Sequence, residues 1–260
     1  MKISIVQMDM KCNTPQKNFA HAEALIRRAA ETSPDVILLP ETWNTGFFPH
    51  EGLVAYCDRD GAETKQRIGA LAKEYRVNIV AGSVSTLRGE HIFNTAYIFD
   101  RTGACIAQYD KTHLFSYAHE HLFYTPGDSL CTFSLDGRLC GLLTCYDLRF
   151  PELARTLALR GIEVLFVPAQ WPAKRRGHWE TLLAARAIEN QIFVAACNSC
   201  ASDTLCGGSS RILDPLGSVL AAADGSETVF SATLDLSALS EIRETIHVYR
   251  DRRPTLYEIN

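Results

Sequence analysis

The 260-residue sequence predicts an α/β fold, a single domain of mixed β-sheets covered by helices. Three observations predict it. Short apolar runs of strand length alternate along the chain with segments of helical periodicity. Hydrophobic residues make up 47% of the chain, enough for one sizeable core, although length alone leaves two small domains open. Finally, no linker, low-complexity segment or clear repeat interrupts the pattern.

The elements follow in order. Ile3 to Met8 alternates as a strand. Thr14-Pro15 opens a helix, with proline where its missing N–H costs nothing, and Phe19, Ala22, Leu25, Ile26 and Ala29 form its apolar stripe. Val36-Ile37-Leu38-Leu39 is apolar throughout, as a strand covered on both faces must be. A helix from about Ala62 to Tyr75 and a strand from Val77 to Val84 come next. Phe93 to Phe99 and Ala104 to Tyr109 flank the turn Asp100-Arg101-Thr102-Gly103. Leu130 to Leu135 and Leu139 to Thr144 flank Asp136-Gly137, a hairpin dipeptide. Pro151 begins a helix to about Arg160, ended by Gly161, and Glu163 to Val167 is a strand. Trp179, Leu182, Leu183, Arg186, Ala187 and Asn190 share a helical face, and Ile192 to Cys197 is an apolar strand. Two or three strands fall between Ser209 and Leu234, and a short helical turn follows Ser237. Periodicity does not say how many sheets these strands form.

Composition narrows the function. The formal net charge is −4 and charged residues make up 22%, so neither a nucleic-acid footprint nor a membrane-binding basic face is expected. The longest basic run is Lys174-Arg175-Arg176. No apolar stretch approaches bilayer length, and the start of the chain lacks a signal-type segment. A cytoplasmic protein is therefore expected. In a reducing compartment the nine cysteines are mostly small buried hydrophobes rather than disulfides, and local context must choose a reactive one.

Three residues lie just past the ends of expected strands, where open α/β folds place their sites. Cys145, in Leu142-Leu143-Thr144-Cys145-Tyr146-Asp147-Leu148-Arg149-Phe150-Pro151-Glu152, stands between a strand and a proline-initiated helix, the setting of a nucleophile elbow. A helix N-terminus there favours a thiolate. Glu41 follows Leu38-Leu39-Pro40, and burial at a strand end raises a carboxylate pKa toward that of a general base. Lys111, in Gln108-Tyr109-Asp110-Lys111-Thr112-His113-Leu114-Phe115, offers an ammonium to stabilise a tetrahedral oxyanion. The ordinary readings are a core cysteine, a strand-end carboxylate and a surface lysine, and no one of the three residues excludes its own.

Together these strings resemble the nitrilase (carbon-nitrogen hydrolase) superfamily. The same order includes Val80-Ala81-Gly82-Ser83, Phe93-Asn94-Thr95, Pro126-Gly127-Asp128 and Ala187-Ile188-Glu189-Asn190-Gln191, so the likeness spans almost the whole chain. It implies a four-layer α-β-β-α sandwich, a Glu41–Lys111–Cys145 triad, no cofactor or metal, and a homodimer or larger assembly. It also implies a second glutamate near the site, which Glu120 fits, and an oxyanion contact from the Tyr146 main-chain N–H. Lys111-Thr112-His113-Leu114-Phe115, Glu120-His121-Leu122, Trp171-Pro172 and His178-Trp179 look like the subgroup of ω-amidases, which hydrolyse 2-oxoglutaramate and 2-oxosuccinamate. Family activities on N-carbamoyl amino acids or aliphatic amides stay open.

An anionic small-molecule amide needs a cation or other donors in its pocket. Arg149 is the candidate, with Lys174, Arg175 or Arg176 as contributors; an ion pair with Glu152 is the structural alternative for Arg149. Trp43, Phe115 and Trp171 are candidates to wall the pocket. Two rival chemistries remain: a Cys–His hydrolase using His113, His119, His121 or His178, and a metal or redox site at Cys197-Asn198-Ser199-Cys200 with Cys206, which lacks the second pair a zinc site normally needs.

Overall fold

A computed structural model describes residues 1–47 and 50–257. Among the described residues, thirteen strands form two sheets. The first contains β1 (Lys2–Gln7), β2 (Val36–Leu38), β3 (Asp58–Arg59), β4 (Asn78–Arg88), β5 (His91–Phe99), β6 (Cys105–Asp110) and β13 (Thr228–Thr233), in the order β13-β1-β2-β4-β5-β6, with β3 beside β4. The second contains β7 (Cys131–Leu135), β8 (Arg138–Leu142), β9 (Val164–Ala169), β10 (Phe193–Asn198), β11 (Arg211–Leu213) and β12 (Val219–Ala222), in the order β12-β11-β10-β9-β8-β7. Each sheet has a parallel centre, β1-β2-β4 and β8-β9-β10, with antiparallel flanks, except that the short β3 lies parallel to the end of β4.

The side-chain alternation of strands explains the layers. Val36 and Leu38 enter the core between the sheets, with Ile3, Ile5, Leu142, Val164, Phe166 and Phe193. Ile37 and Leu39 point the other way, into a second core beneath α1 (Pro15–Ala30) and α2 (Ala62–Tyr75). Leu165, Val167 and Val194 pack instead under α3 (Pro151–Leu159) and α4 (Arg176–Asn190). Three cores make four layers, α-β-β-α, as the resemblance implies. The central strands are apolar throughout because both faces are covered.

Several boundaries shift. β4 runs on to Arg88, four residues past its expected end, with a register break between Val80 and Ser83. Gly82 sits in that break at φ +58°, and a Cβ there would lie 1.9 Å from the Pro40 carbonyl oxygen. The glycine of Val80-Ala81-Gly82-Ser83 thus lets the chain before Glu41 approach. The Asp136-Gly137 hairpin forms as expected, both residues at positive φ. The strands between Ser209 and Leu234 divide: β11 and β12 extend the second sheet, while β13 crosses to pair with β1. The helical turn after Ser237 is a two-turn helix, α5 (Ala238–Thr245). No helix among the described residues is long and apolar enough to cross a membrane.

Candidate active site

Both sheets deliver residues to one place beyond the carboxyl ends of their strands. Glu41 follows β2 and Lys111 follows β6, in the first sheet; Cys145 follows β8 and Gln170 follows β9, in the second. Glu120 joins them from a short turn, Glu120–Leu122, between β6 and β7. The structure brings together the whole sequence-predicted triad and its supporting glutamate.

Glu41, Lys111 and Glu120 form a buried charge cluster. Lys111 Nζ lies 2.8 Å from Glu41 Oε1 and 2.9 Å from Glu120 Oε2, with all three side chains shielded from solvent. The Asn94 side-chain amide donates to Glu41 Oε1 at 2.8 Å and to Glu120 Oε1 at 3.2 Å. The Phe115 main-chain N–H donates to Glu120 Oε2 at 2.6 Å. Burial opposes charge on Lys111, but Glu120 and Glu41 outweigh it and hold its ammonium well above the ordinary lysine value. Burial pushes Glu120 up; Lys111 draws it down and the Glu41 charge adds to the rise.

Cys145 occupies the left-handed region at φ +47°, which non-glycine residues seldom adopt. It heads a short turn, Cys145–Arg149, that runs into α3. Asp147 anchors this elbow. Its buried carboxylate accepts from the Thr144 N–H (3.0 Å), the His113 N–H (2.9 Å) and the Tyr109 hydroxyl (2.8 Å). The pull of a helix start toward thiolate is opposed here. Burial and the adjacent Glu41 charge push the Cys145 thiol well above its ordinary value, outweighing Lys111 and the Gln170 N–H, which pull it down. The thiol thus holds its proton more tightly than an ordinary cysteine, and Glu41 is the carboxylate beside it.

Cys145 and Lys111 open onto a cavity of about 610 Å³. Of the expected pocket residues, Phe115, Arg149 and Trp171 line it, and so do Tyr146, Lys174 and Arg175. The Arg149 guanidinium lies 4.6 Å from the centre of the Trp171 ring, and no carboxylate pairs with it among the described residues, so the ion pair with Glu152 does not form. Arg175 lies over Tyr117 at 4.6 Å. Two expectations are corrected. Trp43 is not a cavity wall: it packs edge-on against Phe19 of α1, and its indole donates to the Ala81 carbonyl at 2.7 Å. Arg176 points away and pairs with Glu180.

Most residues of the rival chemistries lie outside the cavity. His113 is bonded to Asp147 and stacked on Phe150 at 3.6 Å. His119, His121 and His178 are exposed and do not line the cavity. The Cys197 thiol is buried and donates to the Val6 carbonyl at 3.1 Å. Cys206 borders the cavity, where burial pushes its thiol up to about 12. Sequence reasoning assigned no role to Asn94, Asp147 or Gln170. Gln170 carried a usable signal, since it directly follows an apolar strand as Glu41 and Cys145 nearly do.

The model of the carbon-nitrogen hydrolase family matches residues 2–244. The 2-oxoglutaramate amidase of Bacillus subtilis (strain 168) is 42% identical over 257 residues, which cover 98% of each chain. Omega-amidase NIT2 of Homo sapiens is 31% identical over 273 residues, with 99% of this chain and 97% of that protein covered. Among solved structures, XC1258 of Xanthomonas campestris, a CN-hydrolase superfamily protein with an arsenic adduct in its active site, superposes with a TM-score of 0.90. It is 30% identical, over 97% of both chains.

Proposed function

The chain belongs to the carbon-nitrogen hydrolase family and hydrolyses amides, and from that premise we propose that its substrates are small carboxylate-bearing amides, 2-oxoglutaramate and 2-oxosuccinamate foremost. One observation carries this reading: a buried Glu41–Lys111 pair beside the Cys145 thiol, opening on a cavity where Arg149 has no carboxylate partner among the described residues.

The geometry supports a covalent route. Glu41 takes the thiol proton as Cys145 Sγ attacks the amide carbonyl. The Lys111 ammonium is held between two carboxylates and borders the cavity, which suits its positive charge to stabilise the oxyanion together with the Tyr146 main-chain N–H. Collapse breaks the C–N bond, and Glu41 returns its proton to the nitrogen as ammonia leaves. Water then attacks the thioester, giving a proton to Glu41. Collapse of the second intermediate releases the carboxylic acid product and returns that proton to Sγ. Glu120 positions Lys111. Arg149, with Lys174 or Arg175 beside it, pairs with the substrate carboxylate, against walls formed by Phe115 and Trp171. The family resemblance adds a homodimer or larger assembly, which light scattering on the purified chain tests.

The decisive assay is ammonia release across small amides, with Cys145→Ala as control. 2-Oxoglutaramate should be turned over far better than glutamine, simple nitriles or N-carbamoyl amino acids, and Cys145→Ala should abolish turnover with the fold intact. The reverse ranking rejects the substrate class; activity retained in Cys145→Ala rejects the mechanism.

A further inference from the structure

The base and the nucleophile come from different sheets. Glu41 and Thr42 follow β2 of the first sheet, and Cys145 follows β8 of the second. Attack requires the Glu41 carboxylate to be held against the thiol, so something must fix one sheet's loop to the other. Lys111 and Asn94, which bond the Glu41 carboxylate, both belong to the first sheet's side. Gln170 is different. It follows β9 of the second sheet, is almost fully buried and lines the cavity.

Gln170 grips the Glu41–Thr42 step at three points. Its main-chain N–H donates to Glu41 Oε2 at 2.8 Å. Its side-chain Nε2 donates to the Glu41 carbonyl at 2.9 Å and to Thr42 Oγ1 at 2.8 Å, using both amide hydrogens. Its Oε1 accepts from the Thr204 hydroxyl at 3.1 Å, which fixes the amide's orientation. Thr42 needs holding: it is β-branched, yet sits at φ +39°.

We propose that the Gln170 side chain is a positioning residue for catalysis, clamping the Glu41–Thr42 step of the first sheet onto the second so that the carboxylate faces the Cys145 thiol. The inference rests on Glu41 being the base. It assigns the Gln170 side chain no contact with the reacting atoms; the side chain acts through the Glu41 carbonyl and Thr42.

Two variants remove the side-chain part of the clamp and leave the main-chain bond to Glu41 Oε2 in place. Gln170→Met keeps length and bulk but loses both donors and the acceptor. Gln170→Glu keeps an oxygen for Thr204 and loses both donors. With each, kcat should fall about tenfold or more, as expected for a lost buried hydrogen bond that orients a reacting group. The loss should be the same for amides with different acyl tails, with KM within about twofold of wild type. That pattern marks an effect confined to the transition state. Adding Thr42→Val to Gln170→Met should cost less than Thr42→Val costs alone, because the two share one contact. A raised KM at unchanged kcat, or losses that vary with the acyl tail, would make Gln170 a substrate contact and overturn the proposal, as would fully additive losses. If Gln170→Met does not fold, Gln170→Glu decides. Failure of the amidase reading is separate: there the wild-type chain itself releases no more ammonia than Cys145→Ala.

Discussion

Replacing Lys111 by methionine tests the charge cluster most severely, because it separates stability from catalysis. The ammonium lies 2.8 Å from one buried carboxylate and 2.9 Å from another. Removing one partner of a buried ion pair costs about 3–5 kcal/mol, since the remaining charge is left uncompensated. Here two carboxylates are left facing each other, and one must take a proton. A carboxyl group whose folded pKa is raised above its unfolded value of about 4.3 is stabilising in its protonated form. That contribution is complete below the unfolded pKa and is lost as pH rises through the folded pKa. The deficit of Lys111→Met should therefore be about 3–5 kcal/mol at pH 8 and smaller at pH 5. Adding Glu120→Gln removes one negative charge along with the positive one and should restore a large part of the stability at pH 8. It should not restore activity, because the oxyanion donor is still missing; kcat should stay about 10²- to 10³-fold low in both variants. Urea unfolding followed by tryptophan fluorescence at the two pH values, with ammonia release on the same samples, measures both. The reasoning fails if Lys111→Met is as stable as wild type at pH 8, if the double variant is no more stable than the single one, or if it regains kcat.

Three other substitutions probe separate parts of the site. Glu41→Gln should lower kcat by about 10²–10⁴, the usual contribution of a positioned base. The same change removes a charge that pushes the Cys145 thiol up, so thiolate absorbance should appear at lower pH than in wild type; near-normal turnover would point to a histidine base. Arg149→Leu should reduce kcat/KM on 2-oxoglutaramate by about 10- to 100-fold, the worth of a charge-assisted hydrogen bond, while neutral amides change little; equal losses on both would deny Arg149 its carboxylate. Trp43→Phe removes the indole bond to Ala81 and should cost about 1–2 kcal/mol of stability, with KM unchanged for every amide. A selective rise in KM would return Trp43 to the cavity wall.

Glu41, Lys111 and Cys145 were legible because the end of a strand is a local feature, visible in a few consecutive residues. The same rule points to Gln170 after β9, yet an amide side chain carries no titratable group and draws no attention as chemistry; its importance lies in what it holds. Glu120 has no such marker, since its turn is ordinary and its burial depends on Lys111 and Asn94 arriving from elsewhere. Trp43 shows the opposite error. It stands two residues from Glu41, but Thr42 between them is at positive φ, so the chain reverses and the indole passes behind the sheet onto α1.

The number of sheets was hidden for a related reason. Alternation reports which residues are buried, not which strand lies opposite, and β13 joins β1 from the far end of the chain. That missing information bears directly on function. Glu41 and Cys145 follow strands of different sheets, so their spacing depends on the apolar core between the sheets, where Val36 and Leu38 meet Leu142, Val164 and Phe166. Protein interiors are packed densely enough that a change of one methylene is felt, and a reacting group displaced by about 1 Å can lose a hundredfold in rate. In the proposed mechanism the residues under β2 and β8 thus act as spacers, though none of them touches the cavity.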